Sequence, residues 1–208
     1  HDTFIRAIEF VPGPNQMVHH LNADLILFEE GKKADVFDGI RVVDEEIHPE
    51  EYELAYKALK THHDDGSLPF FYHSAVNYLP GVVGTIYPEG IGGYRVNRKG
   101  AFFARDIHYA PIQKDQWDHS HYTIFYSKTP PTRLTKEMML GTNGLSPIRP
   151  QLVIPADSIK TFSTRFRIHA DMSVLTINPH MHLLGKSLKA FAVTNVNDTI
   201  PLIRINRW

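Results

Sequence analysis

The chain has 208 residues, 42% hydrophobic and 22% charged, with 22 basic against 23 acidic side chains. That length allows one large domain or two small ones, and the balanced charge, with no basic block, argues against a nucleic-acid partner. No apolar run reaches the ~20 residues of a membrane span, and cysteine is absent, which removes disulfides, zinc–thiolate and blue-copper sites and cysteine nucleophiles together.

Residues 4–10 and 24–28 are rich in Phe, Ile, Leu and Ala and are predicted strands. Between them lie the turn Pro12-Gly13-Pro14-Asn15 and the adjacent pair His19-His20. Neighbours on a regular strand point to opposite faces, so both imidazoles reach one ion only at a bulge or bend. Residues 31–67 form a polar insertion that reads as surface elaboration. Within it a short helix is predicted over 49–60, opening on Pro49 and acids, with Leu54, Ala55, Ala58 and Leu59 at helical spacing and Lys57 and Lys60 near its end. His62-His63-Asp64-Asp65 lies in the same insertion and could hold a divalent ion adventitiously.

Turns at 80–81, 90–93 and 97–100 lead into a predicted strand over 100–109, which ends Asp106-Ile107-His108-Tyr109. By itself His108 reads either as a hydrogen-bonded core histidine or as a ligand. His119 and His121 stand in a polar strand start and are expected to be exposed, before a strand over 122–126. His1, His48, His73 and His169 have no partner in sequence.

Residues 129–150, with Pro130-Pro131, Gly141-Thr142-Asn143-Gly144 and Pro147 to Pro150, mark the expected boundary between a domain of residues 1–145 and one of residues 146–208. Strands are predicted over 151–154, 163–168, 174–177, 187–193 and 201–205. Short strands between such turns indicate an all-β sandwich or barrel. About sixty residues bury too little surface to stand alone, so the second domain is expected to be incomplete.

Asn178-Pro179-His180-Met181-His182-Leu183-Leu184-Gly185 lies between two of these strands. Side chains two apart on a strand share a face, so His180 and His182 would present two imidazoles together, with Met181 turned away. They could equally be polar residues on a solvated face, although the apolar flanks favour ligation. With 13 histidines and no cysteine, a transition-metal site must rest on imidazole, carboxylate or thioether, and imidazole suits copper, zinc, iron or nickel. A cupin also uses His-x-His but wants a glutamate a few residues on, and residues 183–186 supply none.

The order of these features resembles the copper type II, ascorbate-dependent monooxygenases, the family of peptidylglycine α-hydroxylating monooxygenase and dopamine β-monooxygenase, and bacterial members above all. Val18-His19-His20-Leu21 resembles the His-His pair of the family's first domain, and Asp106-Ile107-His108-Tyr109 its His-Tyr segment, preceded by Tyr87-Pro88-Glu89-Gly90 and Lys99-Gly100. Ile154-Pro155-Ala156-Asp157 is similar to the opening of the second domain, and Pro179-His180-Met181-His182-Leu183-Leu184-Gly185 to its His-x-His motif. The resemblance implies two tandem jelly-roll-like β-sandwich domains with a cleft between them, the second incomplete here. It implies two coppers: an electron-transfer copper held by His19, His20 and His108, and an oxygen-binding copper held by His180 and His182, with a methionine expected beyond Trp208.

The implied reaction is hydroxylation of a C–H bond of a small-molecule substrate with O2, ascorbate serving as reductant. The implied location is periplasmic or extracellular, in a bacterium that exports the protein. No membrane span is expected, and the oligomeric state is left open. The chain departs from the peptide-hydroxylating enzyme at Asn178, where that enzyme has the arginine that clamps the substrate carboxylate, and at Asp106, where it has glutamine; it also lacks the disulfides of the animal members. A non-catalytic copper-binding or structural surface module on the same scaffold, and a zinc-bound sandwich, remain the alternatives.

Overall fold

The computed structural model describes residues 3–13, 17–43, 52–82, 84–141 and 144–208. His1, His48, Pro14, Asn15, Thr142 and Asn143, and the predicted start of the helix at 49–51, lie outside the described residues. The chain divides into two compact units, His1–Thr164 and Arg165–Trp208.

The first unit holds strands β1 (Thr3–Val11), β2 (Val18–Leu27), β3 (Phe70–Tyr78), β4 (Tyr94–Val96), β5 (Gly100–Tyr109) and β6 (His121–Tyr126), and one helix, α1 (Tyr52–Ala58). They make two three-stranded antiparallel sheets, ordered β4-β1-β6 and β3-β2-β5. One hydrophobic cluster draws on both: Ile5, Ile8 and Phe10 from β1, Val18, Leu21, Ala23 and Leu25 from β2, and Tyr72 and Val76 from β3. The fold is therefore all-β and sandwich-like, as composition indicates. At the start of β4, Gly93 is at φ +96° with its Cα against the Ile5 carbonyl, so a Cβ there would collide with β1.

β2 is the central strand of its sheet and sets the geometry of everything on its outer face. Leu21, Ala23 and Leu25 alternate into the core, so Asn22, Asp24 and Ile26 face outward. Val18 is also a core residue, three positions before Leu21. Strict alternation forbids that, and the ladder accommodates it by a slip: Val18 opposes Tyr109 and His20 opposes His108, leaving His19 as the extra residue. A second slip, on β5, drops Arg105 between the pairs Asn22–Asp106 and Ala23–Ala104.

The outer face is not bare. Tyr56 of α1 meets Phe103, which pairs with Asp24, at 5.5 Å between ring centroids. Lys33 is buried, its ammonium donating to the carbonyls of Lys60 and His62 at 2.8 and 2.9 Å. His63 is 3% exposed; its Nε2 accepts from the Glu29 amide at 3.1 Å, so its Nδ1 carries the proton donated to Ser67 Oγ at 2.8 Å. The insertion is mostly exposed, as expected of surface elaboration, but it is not loose. The segment is tied down by a buried cation and a buried imidazole, and both nitrogens of His63 are committed to that framework.

Asp24, 3% exposed, anchors the other side of β2. Opposite it three residues of β3 (His73, Ser74 and Ala75) bulge between the pairs Ala23–Val76 and Leu25–Tyr72. Its carboxylate accepts the Ser74 amide at 3.0 Å and stands 3.3 Å from His73 Nδ1, while Ser74 sits at φ +52°.

The second unit holds a hairpin, β7 (Leu188–Val193) and β8 (Thr199–Ile205). No residue of Arg165–Trp208 is buried. The strands predicted over 151–154, 163–168 and 174–177 are not formed; only the bridge Arg149–Ser163 touches that stretch. Their residues suit a sheet, but a strand needs a ladder partner, and among the described residues they have none.

Replacing Asp24 by alanine leaves the Ser74 N–H without its acceptor in a strained, partly buried turn. Asp24→Ala should lower unfolding free energy by about 1–3 kcal/mol and Asp24→Asn by less, measured by urea denaturation; equal stability of all three proteins would show that the carboxylate does not hold the bulge.

Candidate metal centre

The slip at His19 does what a regular strand cannot. It brings two adjacent imidazoles together, Nδ1 of His19 3.0 Å from Nδ1 of His20. His20 and Asn22 of β2 and Asp106 and His108 of β5 form a quartet on the outer face, with His20 opposite His108 and Asn22 opposite Asp106. The His20 and His108 rings lie 4.1 Å apart at 46°. His19 and His108 are exposed and His20 is half-buried, so His108 is not a core histidine.

Two nitrogens bound to one ion at about 2.0–2.1 Å, at angles between square and tetrahedral, stand roughly 2.9–3.4 Å apart. The His19–His20 spacing falls within that range. Without an ion the same spacing suits one shared N–H···N hydrogen bond. The spacing therefore fits either a shared N–H or one bound metal ion between the two Nδ1 atoms. The His20 imidazole is held below the ordinary histidine range, first by burial and then by the neighbouring His108; Asp106 opposes this in part, and His19 adds to it. A lowered value keeps the ring neutral, the form that ligates.

The second pair forms differently from the expectation. His180 and His182 do not lie in a strand; they precede the turn at 183–184. Their Nε2 atoms nevertheless meet at 3.0 Å, with rings 4.8 Å apart and nearly perpendicular. The turn is closed by the Gly185 amide on the His182 carbonyl at 2.8 Å, and Trp208 packs so closely on Gly185 that a Cβ there would lie 3.0 Å from its ring and from Met181 Cβ. Both histidines are exposed and Met181 is half-buried.

Among the described residues, no three His, Asp or Glu side chains are grouped as a cage for an ion. At the first pair His108 lies against the His20 ring, and a change of its exposed side chain would be needed to make it a third donor. At the second pair only two donors meet. His119 and His121 are exposed, as expected, and stand apart from both pairs' hydrogen bonds.

Two groups escaped the sequence reading. The first is Asp106 as the neighbour of His20, Nε2 to Oδ1 3.9 Å. The second is the couple Asp24–His73, whose members stand 49 positions apart; near it Glu137 is raised above the ordinary carboxylate range by desolvation, with Asp24 adding and His73 and Arg105 opposing. A lone acid inside Ala23-Asp24-Leu25-Ile26-Leu27 was the available signal.

No protein-family profile, curated protein or solved structure matches the chain.

Beside His108, the Tyr109 hydroxyl donates to Asp118 Oδ2 at 2.9 Å. Burial first, then that bond and the carboxylate's charge, push the phenol up to about 12. A raised value in the folded state stabilises below the ordinary tyrosine value of about 10 and is lost as pH rises through the folded one. In an alkaline titration followed by tyrosinate absorbance, Asp118→Asn should move part of the late step down toward the ordinary range; an unaltered curve would dismiss the coupling.

Proposed function

We propose that the protein binds copper at two histidine pairs, His19-His20 with His108 alongside and His180-His182, in the service of a copper-dependent monooxygenase reaction. The observation that carries this is the meeting of two independent imidazole pairs at the same 3.0 Å, one built by a strand slip and one by a turn. Building such a pair twice, with half of each ring's polar capacity aimed at the other, has no evident value to the fold, because all but His20 are exposed.

Imidazole donors accommodate both oxidation states of copper, and copper outcompetes zinc at nitrogen sites by intrinsic affinity. The resemblance of the three motifs to the ascorbate-dependent monooxygenases supports the finer reading. On that reading the chain carries tandem jelly-roll-like domains, the first pair serving electron transfer and the second serving oxygen chemistry. Copper would supply one-electron redox chemistry at each. The chain's own part is to hold paired imidazoles at fixed spacing. Exposed Asn178, two residues before His180, replaces an arginine and leaves no cation there for a carboxylate, so the substrate class is unlike a peptidylglycine. An exported location in a bacterium, O2 as oxidant and ascorbate as reductant belong to the same proposal.

The second reading is a copper-binding module without turnover. The exposure of His180 and His182 favours it, because oxygen chemistry calls for a site shielded from water.

Copper titration with metal analysis separates these readings. The protein should take up copper in a component removed by His19→Ala or His20→Ala and a component removed by His180→Ala or His182→Ala, each leaving the other intact, as independent sites do. Uptake indifferent to all four changes would end the copper reading. Ascorbate-dependent oxygen consumption that His108→Ala abolishes supports the monooxygenase; copper uptake without any consumption supports the module.

A further inference from the structure

The quartet on the outer face contains one charged member, and its position is fixed. Asn22 Nδ2 donates to Asp106 Oδ1 at 2.8 Å, directly across the ladder, between the slips at His19 and Arg105. That same oxygen is 3.9 Å from His20 Nε2, the ring nitrogen remote from the one that meets His19. Arg105 Nε stands 3.9 Å from the other carboxylate oxygen, too far for a hydrogen bond. Both the His20 and Asp106 side chains are about three-quarters shielded, at 24% and 25% exposed. Solvent therefore screens their attraction less than it would at an open surface.

A carboxylate on the Nε2 side favours the tautomer that carries its proton on Nε2, leaving the Nδ1 lone pair free beside His19. At 3.9 Å the two are not hydrogen-bonded; the carboxylate acts on the ring through its charge, and a small rotation of His20 would bring Nε2 within hydrogen-bond reach. We propose that Asp106 is the positioning residue of the first pair: it selects the Nε2–H tautomer of His20 and, through that ring, favours the more oxidised state of the copper held there. This rests on the copper reading above. Its physical basis is that a negative charge beside a ligand stabilises the more positive ion, and that ligating histidines hand their second N–H to such a group.

The test uses the full chain and the variants Asp106→Asn, Asp106→Glu and Asn22→Leu, with His20→Ala as reference. In the metal-free protein, imidazole nitrogen NMR should find His20 protonated on Nε2, and Asp106→Asn should shift it toward a tautomer mixture. With copper itself as probe, Asp106→Asn should weaken Cu(II) at the first pair by about 10–100-fold, and Cu(I) by less. Each tenfold change in the ratio raises the one-electron potential by about 59 mV.

Asp106→Glu should restore part of the difference, and Asn22→Leu should give a smaller shift of the same sign. Copper lost on His180→Ala serves as an internal control and should not respond. If Asp106→Asn fails to fold, Asn22→Leu, which removes the hydrogen bond that fixes the carboxylate, carries the comparison through its smaller shift. An unchanged tautomer and an unchanged Cu(II)-to-Cu(I) ratio, with copper still lost on His20→Ala, would overturn the role of Asp106 and leave the copper reading standing. No copper at the first pair in the unaltered protein would overturn both.

Discussion

One extra residue in a β-ladder governs the candidate site. Val18 and Leu21 are both in the core, and the peptide between them has one residue too many for regular alternation. The surplus is resolved at His19. The slip keeps both apolar residues inside and swings an imidazole to the side that His20 already occupies. Hydrophobic burial, worth about 1.5–3 kcal/mol for each such side chain, thereby positions a polar pair that has little stability of its own. The apolar residues on either side specify the geometry of the histidines.

The same sheet tolerates polar groups on its outer face because each buried one is matched. Asp24 has the Ser74 amide and His73, Asp106 has Asn22, Lys33 has two carbonyls, and His63 uses both ring nitrogens. An unmatched buried polar group would cost about 1–3 kcal/mol, and among the described residues only the Tyr122 hydroxyl is a buried side-chain atom without a partner. Polar satisfaction and shape agree on this face, which is why it can carry histidines without loosening.

Much of this was legible from sequence, and what was not has physical causes. β5 was predicted over the residues it occupies, since Gly100 follows the turn at 97–99 and Ala101-Phe102-Phe103-Ala104 is an apolar run. β2 begins six residues before its predicted start, because the His-His pair interrupts the alternation that identifies a strand. β3 was missed for the same reason: His73, Ser74 and Asn77 break a Phe- and Tyr-rich segment where its bulge lies. The need for a bulge at His19-His20 was legible from chemistry alone. The Asn22–Asp106 bond, across 84 positions, was not, because nothing local encodes a cross-strand register.

The β7–β8 hairpin has a consequence for behaviour in solution. Phe191, Val193, Ile200 and Leu202 are 36–58% exposed, and among the described residues each strand has one unpaired edge. Bare edges of this kind template intermolecular sheets and fibrils. Here the slip at Ala190/Phe191 and Pro201, which lacks an amide proton, interrupt the line of hydrogen bonds that an incoming strand would need. Stickiness in this unit should accordingly be of the reversible, greasy-face kind that dilution undoes, and not the ordered stacking that seeds amyloid.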